Sequence, residues 1–295
     1  MTMPLALAID LGGTQLRAAH INQFGRVENR TSVVTDSKNG PSAVVAQMLA
    51  LAQQLGMDNV THVGVSSPGP LDNETGTTLE LPTLPGWNNF PLRETLRQTF
   101  DRPVTVENDG IAAAYGEWKF GAGRGLLHLV YVTVSTGIGG GVVVDGRLMR
   151  GARGMAGHIG HMMIAREGPM CSCGGRGCFE ALAAGPAFGR SGLVHGYENA
   201  SDIVAAARTG NVQALALVRQ EAEYLGYGFA SLLHLFSPQR IVVGGGVSNA
   251  LDLMLPVIEK TMKPITMPAF RVADVVRAEL GDNAGLIGAA GLAFA

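Results

Sequence analysis

Short apolar runs followed by glycine-rich turns occur twice along this chain. The first run, residues 5–10, ends in an aspartate and leads through a glycine-rich turn into a second run, 16–21. A similar unit follows at 129–134, with a glycine-rich stretch at 135–141 and an apolar run at 142–144. Each unit predicts a strand, a turn and a second strand. One copy in each half indicates an internal duplication, with ligand bound between two lobes.

The stretches between these units alternate between helical and strand patterns. The spacing of apolar residues predicts helices at 41–55, 92–100, 110–119, 201–207, 212–235 and 284–295, and strands at 63–66, 104–106 and 241–243. The last helix is apolar throughout, so we expect it to be buried. This mixture of elements indicates an α/β class.

Glycines interrupt the pattern near residues 118–125, and the domain boundary is expected there. We therefore divide the chain into an N-terminal lobe, 1–118, and a C-terminal lobe, 119–295. The helix at 284–295 is expected to pack back on the first lobe.

Composition and charge narrow the function classes. The chain has 295 residues, of which 46% are hydrophobic and 16% charged, and its 22 basic and 24 acidic residues leave a net charge of −2. No apolar run approaches the roughly 18 residues of a membrane span, and the balanced charge gives no general reason to expect nucleic acid as a partner. Because the first residues also lack a secretory signal pattern, we expect a cytoplasmic enzyme.

The three cysteines lie close together, at Cys171, Cys173 and Cys178. An odd, clustered set is a poor disulfide framework. With His161 ten residues upstream, they offer the four N and S ligands that a tetrahedral structural Zn²⁺ site takes. The alternative is three unrelated buried thiols. A closed four-ligand site would not activate water, which argues against a zinc hydrolase.

Three glycine-rich turns follow predicted strands, at 12–14, 137–141 and 244–246. Backbone N–H groups in such turns can cradle phosphate oxygens, and Thr14 and Thr136 add hydroxyl donors. Neither of the first two turns has the P-loop ending, and the first is followed by a strand, unlike the dinucleotide fingerprint. A plain hairpin turn is the alternative for each.

Several strings occur together in a fixed order. They are Asp-x-Gly-Gly-Thr at 10–14, Glu-Asn-Asp at 107–109, Ser-Thr-Gly-Ile-Gly-Gly-Gly at 135–141, and Gly-His-Ile-Gly-His at 157–161 followed by the cysteine motif at 171–180. They resemble the ROK family (repressor, open reading frame, kinase) over nearly the whole chain. The resemblance implies a two-lobed actin-like, ribonuclease-H-like ATPase fold with a cleft, a homodimer, ATP and Mg²⁺ as co-substrates, and phosphorylation of a hexose-type sugar.

The resemblance also implies roles for individual residues. Asp109 would be the general base that accepts the proton of the sugar hydroxyl, and Asp10 would hold Mg²⁺ or its waters. Sugar contacts are implied for Gly69, Asn88 or its neighbour Asn89, Asn108, Asp109, Gly137, His158, His161 and Glu180. Nucleotide contacts are implied for Asp10, Gly12, Gly13, Thr14, Gln15, Thr136, Gly137, Gly139, Gly140, Gly244, Gly245 and Gly246. The alternatives are a helix-capping Asp109 and a strand-ending Asp10.

One position departs from the family pattern. Most family glucokinases carry Glu where this chain has His158, and the string at 157–161 resembles that of bacterial N-acetylmannosamine kinases. Imidazole can donate a hydrogen bond to an N-acetyl carbonyl, whereas a carboxylate can only accept one from a hydroxyl. Our hypothesis is ATP-dependent phosphorylation of the 6-hydroxyl of N-acetyl-D-mannosamine in amino-sugar catabolism, with glucokinase or another hexose kinase as the alternative.

The competing hypothesis from another functional class is a non-catalytic, sugar-responsive regulator. Some family members are repressors with an N-terminal helix-turn-helix. Here the first predicted strand begins by about Leu5, so we expect no such module and no nucleic-acid partner.

Overall fold

The computed structural model describes residues 3–81 and 84–295, which divide into two compact units. The first unit extends to Gly125 and includes Leu148–Gly157 and Asp282–Ala295, and the second comprises Leu126–Arg147 and His158–Gly281. Residues 119–125 and 148–157, which the sequence division assigned to the C-terminal lobe, thus belong to the first unit. One reason is that the helix containing residue 118 continues to Phe120.

The first unit is built on a five-stranded mixed sheet. Its elements are β1 (Leu5–Leu11), β2 (Gln15–Asn22), β3 (Val27–Val34), α1 (Gly40–Leu55), β4 (Val60–Ser67), β5 (Leu71–Asp72), β6 (Thr77–Thr78), α2 (Leu92–Phe100), β7 (Val104–Asn108), α3 (Asp109–Phe120) and, from the far end of the chain, α9 (Ala284–Ala293). The strand order is β3-β2-β1-β4-β7. Strands β1 to β3 are antiparallel, whereas β4 and β7 run parallel to β1.

The second unit repeats this plan. Its elements are β8 (Leu129–Val134), β9 (Ile138–Val144), β10 (Arg147–Leu148), α4 (Phe179–Ala183), α5 (Gly185–Gly192), α6 (Ala200–Arg208), α7 (Val212–Phe236), β11 (Arg240–Gly244), α8 (Leu251–Ile265) and β12 (Asp274–Arg277). The strand order is β10-β9-β8-β11-β12, with β8 and β9 antiparallel and β8, β11 and β12 parallel. The matching strand orders confirm the predicted duplication.

Helix α9 is buried as its composition predicts. All of its residues from Leu286 to Gly291 are buried, and it packs against α3 and the strands of the first sheet. The helices approach closely because small residues line the contact: a Cβ added at Gly288 would lie 1.7 Å from the carbonyl oxygen of Ala112. A side chain at that position would push the two helices apart.

The structure departs from the predicted elements in a few places. The sequence analysis did not predict β3, which is a largely polar and exposed edge strand, or α8, whose interior contains Pro256 and Pro264. The prediction of one turn across 137–141 is wrong, since β9 begins at Ile138 and pairs Gly139 with Thr133. None of the helices in the described part of the chain, α7 with its 25 residues included, is apolar enough over a sufficient length to cross a membrane.

A buried carboxyl group lies in the middle of α7. Glu221 is only 3% exposed, and its Oε1 atom has no hydrogen-bond partner among the described residues. Burial raises its pKa well above the ordinary value. The folded chain therefore holds a proton that the unfolded chain releases above a pH of roughly 4.3.

Replacing this residue by Glu221→Gln should stabilise the protein at pH 8 and change little at pH 4. The unfolded state of the native chain gains stability as its carboxyl group ionises, and glutamine removes that effect. We expect the thermal midpoint at pH 8 to rise by at least ~2 °C, as about 1 kcal/mol produces in a chain of this size. Scanning calorimetry at both pH values measures it. The control is Glu223→Gln on the same helix, which loses an exposed ion pair with Arg219 and should show no rise in the thermal midpoint. An equal rise at pH 4 and pH 8 for Glu221→Gln would contradict the expected role of ionisation.

Candidate active site

Polar side chains of the first unit meet at the carboxyl ends of its parallel strands. Asp10 lies near the end of β1, and the hydroxyl of Ser66 in β4 donates to its Oδ1 at 2.9 Å. Asn108 ends β7, and Asp109 begins α3. Because β1, β4 and β7 are parallel neighbours, their ends reach the same edge of the sheet. The structure thus brings Asp10, Asn108 and Asp109 together.

Asn108, and not Asp109, caps helix α3. Its Oδ1 accepts from the N–H groups of Gly110 and Ile111 at 3.0 and 3.3 Å. The side chain of Asn108 also lowers the pKa of the Asp109 carboxyl group, whose Oδ1 accepts from Gly110 N–H at 2.7 Å. The residues that start the helix therefore orient the carboxylate.

The electrostatic surroundings make Asp109 a stronger base than a free aspartate. Its side chain is accessible to ligand, yet reduced hydration within the surrounding protein, together with the negative charge of Asp10, raises its pKa to about 6. Hydrogen bonds from Gly110 and Asn108 oppose that rise. At pH 7 the group is mostly ionised, with a basicity suited to accepting a proton.

Arg17 belongs to this group, and the sequence analysis missed it. It pairs with Asp10 across the antiparallel β1–β2 hairpin, and its Nη1 lies 3.6 Å from Asp10 Oδ2. Burial raises the pKa of Asp10, whereas the hydrogen bond from Ser66 and, to a smaller extent, the charge of Arg17 lower it. The Nε of Arg17 donates to Gln15 Oε1 at 2.9 Å. The side chain of Gln15, which the sequence analysis predicted to contact the nucleotide, is therefore engaged within the protein.

The first glycine-rich turn is held from one side. Gly12 N–H donates to the carbonyl of Gln15 at 3.1 Å, and Thr35 N–H donates to the carbonyl of Thr14 at 2.9 Å. The hydroxyl of Thr35 donates to the carbonyl of Gly12 at 2.7 Å. Thr14 is left exposed beside Gly13, where it can serve a ligand.

Glu107, which the sequence analysis quoted without giving it a role, fixes the backbone before the Asn-Asp pair. It is 1% exposed. Its carboxylate accepts from Asn73 Nδ2 at 2.7 Å, Asn108 N–H at 3.1 Å and Arg150 Nε at 3.2 Å. Burial raises its pKa, and Arg150 opposes the rise.

Two predicted sugar contacts of the first unit stand apart from this network. Gly69 follows β4 and is half-buried, and Asn88 is exposed in the turn before α2, as is Asn89. No polar contact found among the described residues joins them to Asp10 or Asp109. Their role in sugar binding stays a prediction.

The second unit has a shorter glycine-rich turn than the sequence predicted. Ser135, Thr136 and Gly137 connect β8 to β9, and Ser135 N–H donates to the carbonyl of Gly137 at 2.9 Å. Gly139 and Gly140 lie in β9, opposite Thr133 and Val132. Thr136 is exposed at the turn.

A cavity of about 780 Å³ opens beside this turn. Gly244 ends β11 and Gly245 packs against the carbonyl of Val134, whereas Gly246 lines the cavity. Thr136 of the turn also lines it, and further lining residues come from α5, α6 and the segments around them, among them Gly185, Phe188, Arg190, Glu198 and Arg208. The volume suits a small organic ligand.

The predicted metal ligands converge. One donor atom from each of His161, Cys171, Cys173 and Cys178 lies within 4.8 Å of the others. Cys171 Sγ is 3.6 Å from His161 Nδ1, and the Sγ atoms of Cys173 and Cys178 are 3.7 Å apart. Burial and the neighbouring thiols raise the pKa of Cys178 to about 12. One imidazole and three thiols are a donor set that fits a closed tetrahedral zinc site.

The remaining predicted sugar contacts flank this cluster. The ring of His158 stacks on that of His161 with centroids 6.3 Å apart, and reduced hydration, then His161, lowers its pKa. Glu180 lies two residues after Cys178, and its Oε2 accepts from Ile138 N–H at 2.9 Å. One carboxylate oxygen of Glu180 is thus engaged at the second glycine-rich turn.

Comparison with known proteins places this chain in a family. Residues 6–295 match the model of the ROK family. The chain belongs to the ROK family. The actin-like ATPase fold implied by the sequence motifs is confirmed by this match and by closely similar ROK structures.

ROK proteins with two different names are similar to this chain to a comparable degree. It is 37% identical over 290 residues to an N-acetylmannosamine kinase of Escherichia coli, with 98% of each chain covered. It is 33% identical over 305 residues to the glucokinase of Thermotoga maritima, with 97% and 96% covered. The crystal structure of a ROK family glucokinase from Streptomyces griseus in complex with glucose and AMPPNP has a TM-score of 0.86 at 34% identity, covering 98% of this chain and 99% of that one.

The electrostatics of this ROK site predict that Asp109→Asn raises thermal stability at pH 8. Ionisation of a carboxyl group with a pKa of about 6 in the folded chain and about 3.9 in the unfolded chain opposes folding as pH rises through that window. Asparagine removes the charge, so we expect a gain of about 1–3 °C at pH 8 and only a small fraction of that gain at pH 4. Scanning calorimetry provides the measurement. Asp58→Asn, at an exposed aspartate of the same unit, is the control; an unchanged midpoint at pH 8 would show that Asp109 carries no electrostatic cost.

Proposed function

We propose that this protein is an ATP-dependent sugar kinase that transfers the γ-phosphoryl group of ATP to the 6-hydroxyl of N-acetyl-D-mannosamine. The observation that carries the proposal is an oriented carboxylate, Asp109, whose pKa is raised to about 6 in a chain of the ROK family. The names of its relatives, N-acetylmannosamine kinase and glucokinase, support a sugar as the phosphoryl acceptor.

The chemistry assigned to Asp109 is proton removal. The sugar oxygen forms a bond to the γ-phosphorus, the bond from that phosphorus to the bridging oxygen of ADP breaks, and the hydroxyl proton passes to Asp109. Asn108 orients the carboxylate from the helix start. Mg²⁺ bound with ATP would offset charge on the phosphoryl oxygens, and Asp10 is the residue proposed to hold it or its waters.

Each glycine-rich turn is proposed to bind phosphate groups of the nucleotide. Thr14 and Thr136 are exposed at their turns, where backbone N–H groups and hydroxyls can bind phosphate oxygens. The cavity lined by Thr136 and Gly246 has room for the nucleoside. The AMPPNP bound to the Streptomyces griseus glucokinase supports a nucleotide as a ligand of this chain.

His161 and the three cysteines are proposed to hold one structural Zn²⁺. Their donor atoms lie within 4.8 Å of one another, and four protein ligands would leave no open position for water. His161 Nδ1 faces the cluster, which leaves Nε2 for a sugar hydroxyl.

The choice of N-acetyl-D-mannosamine rests on His158. The similar identities to both kinds of relative do not decide between sugars. A histidine N–H can donate to the carbonyl of an N-acetyl group, which the glutamate typical of family glucokinases cannot do. Glucose is the second candidate, favoured by the glucokinase relatives.

Loss of the proton acceptor should abolish most of the activity. Asp109→Asn is expected to lower kcat by about 10²–10⁴-fold, the usual contribution of a general base. For the native enzyme, log kcat/KM should fall with decreasing pH below about 6, because protonation of Asp109 removes the base. A coupled assay of ADP release over pH 5–9 measures both effects. Asp58→Asn serves as the control, and undiminished turnover by Asp109→Asn would revive the non-catalytic regulator.

A panel of sugars tests the specificity. We expect kcat/KM with N-acetyl-D-mannosamine to exceed that with D-mannose, which differs only at C2, and that with D-glucose. His158→Glu should shift the ratio of N-acetyl-D-mannosamine to D-glucose by about tenfold or more toward glucose, the effect of about 1.4 kcal/mol. His195→Glu, at a histidine outside the site, should leave the ratio unchanged. Efficient turnover of glucose with none of N-acetyl-D-mannosamine would end the specificity proposal and favour glucokinase.

A further inference from the structure

The backbone of one residue beside the second glycine-rich turn is held on both sides by residues next to the proposed metal ligands. Ile138 follows the turn and is 3% exposed. Its N–H donates to Glu180 Oε2 at 2.9 Å. Its carbonyl packs against Gly160 so closely that a Cβ added there would lie 2.0 Å from the oxygen. Both sides of the Ile138 backbone are therefore in contact with neighbours of metal ligands.

The two residues that hold Ile138 belong to different arms of the cluster, the arms being the segments 158–165 and 171–180. Gly160 immediately precedes His161, and Glu180 follows Cys178 by two residues. Three backbone hydrogen bonds join the arms: Phe179 N–H donates to the carbonyl of Met162 at 2.8 Å, and Ile164 and Ala165 N–H both donate to that of Gly177, at 2.9 and 3.3 Å. A metal ion bound to ligands on both arms would fix the spacing between the two residues that hold Ile138.

Glu180 is placed firmly enough to transmit this constraint. The preceding residue, Phe179, is fully buried and packs edge-on against Phe229 of α7, with ring centroids 6.2 Å apart. Glu180 also faces the turn directly, because a Cβ added at Gly137 would lie 2.6 Å from its Oε2. A shift of this carboxylate would therefore move the turn or leave Ile138 N–H without its acceptor.

We infer that Glu180 is a positioning residue for the Ser135–Thr136–Gly137 turn, so that metal binding at the four-ligand cluster raises affinity for the phosphate groups of the nucleotide. This inference rests on the proposed nucleotide and zinc sites. It gives Glu180 a task besides the sugar contact implied by the family, since Oε2 serves the turn. Because such coupling is reciprocal, bound nucleotide should also tighten metal binding.

The experiment measures nucleotide binding without any sugar. Calorimetry compares the Zn²⁺-loaded protein with protein stripped by a zinc-selective chelator, using Mg²⁺-AMPPNP and, separately, adenosine. We expect the Kd of AMPPNP to rise by about tenfold on metal removal, within the usual range of coupling between sites. The Kd of adenosine should stay within about twofold, because adenosine occupies the cavity without phosphate groups at the turn.

Variants at Glu180 separate positioning from general stability. Glu180→Ala removes the acceptor for Ile138 N–H and should weaken AMPPNP binding by about three- to tenfold in the Zn²⁺-loaded protein. Glu180→Gln keeps an acceptor oxygen and should bind AMPPNP nearly as the native protein does. Metal removal should raise the Kd of AMPPNP by a smaller factor in Glu180→Ala than in the native chain, because the metal and Glu180 act through the same contact. Glu167→Ala, at an exposed residue between His161 and Cys171, is the matched control.

Each result has a distinct meaning. Unchanged AMPPNP affinity after metal removal overturns the inference and leaves the kinase proposal standing, as does an equal loss for AMPPNP and adenosine. Failure of the Zn²⁺-loaded native protein to bind AMPPNP overturns the proposed function itself. Should Glu180→Ala not fold, the native chain with and without Zn²⁺ decides, since it carries the coupling without any substitution.

Discussion

Two carboxylates, Asp10 and Asp109, lie at one edge of the first sheet, and the electrostatic cost of placing them there is the constraint that the surrounding side chains must offset. Reduced hydration raises the pKa of both, and the charge of Asp10 adds to the effect at Asp109. The fold offsets this cost with fixed donors, the hydroxyl of Ser66 on one group and the N–H of Gly110 on the other. A carboxylate balanced in this way is ionised at neutral pH and still basic enough to accept a proton.

The start of a helix supplies much of that balance. Asn108 satisfies the first N–H groups of α3 with its oxygen, and Asp109 as the first helical residue lies where the helix dipole favours negative charge. Glu107 holds the preceding backbone through Arg150 and Asn73. Formation of helix α3 therefore also orients the carboxylate of Asp109.

The sequence was sufficient to predict features that depend on local pattern. Strands, helices with regular apolar spacing and the cluster of Cys171, Cys173 and Cys178 all follow from residues close in the chain. It could not predict contacts that depend on strand register or on packing between distant segments. Arg17 reaches Asp10 only through the hairpin register, and Glu180 reaches Ile138 from 42 positions away. The pattern of α8 was likewise obscured by its prolines, which the helix accommodates.

The two topologically equivalent turns show why the second unit needs its cysteine-rich loop. In the first unit, β3 runs the length of β2, and Thr35 at its end holds the β1–β2 turn. In the second unit, the equivalent strand β10 stops after two residues and cannot reach the β8–β9 turn. The segments around His161 and Cys178 take that place, with Gly160 against one side of Ile138 and Glu180 on the other. Gly160 lies in a 3-10 helix and Glu180 in α4, and an antiparallel bridge between Met163 and Cys178 joins their segments. A metal ion bound to the four converging side chains would fix these segments further.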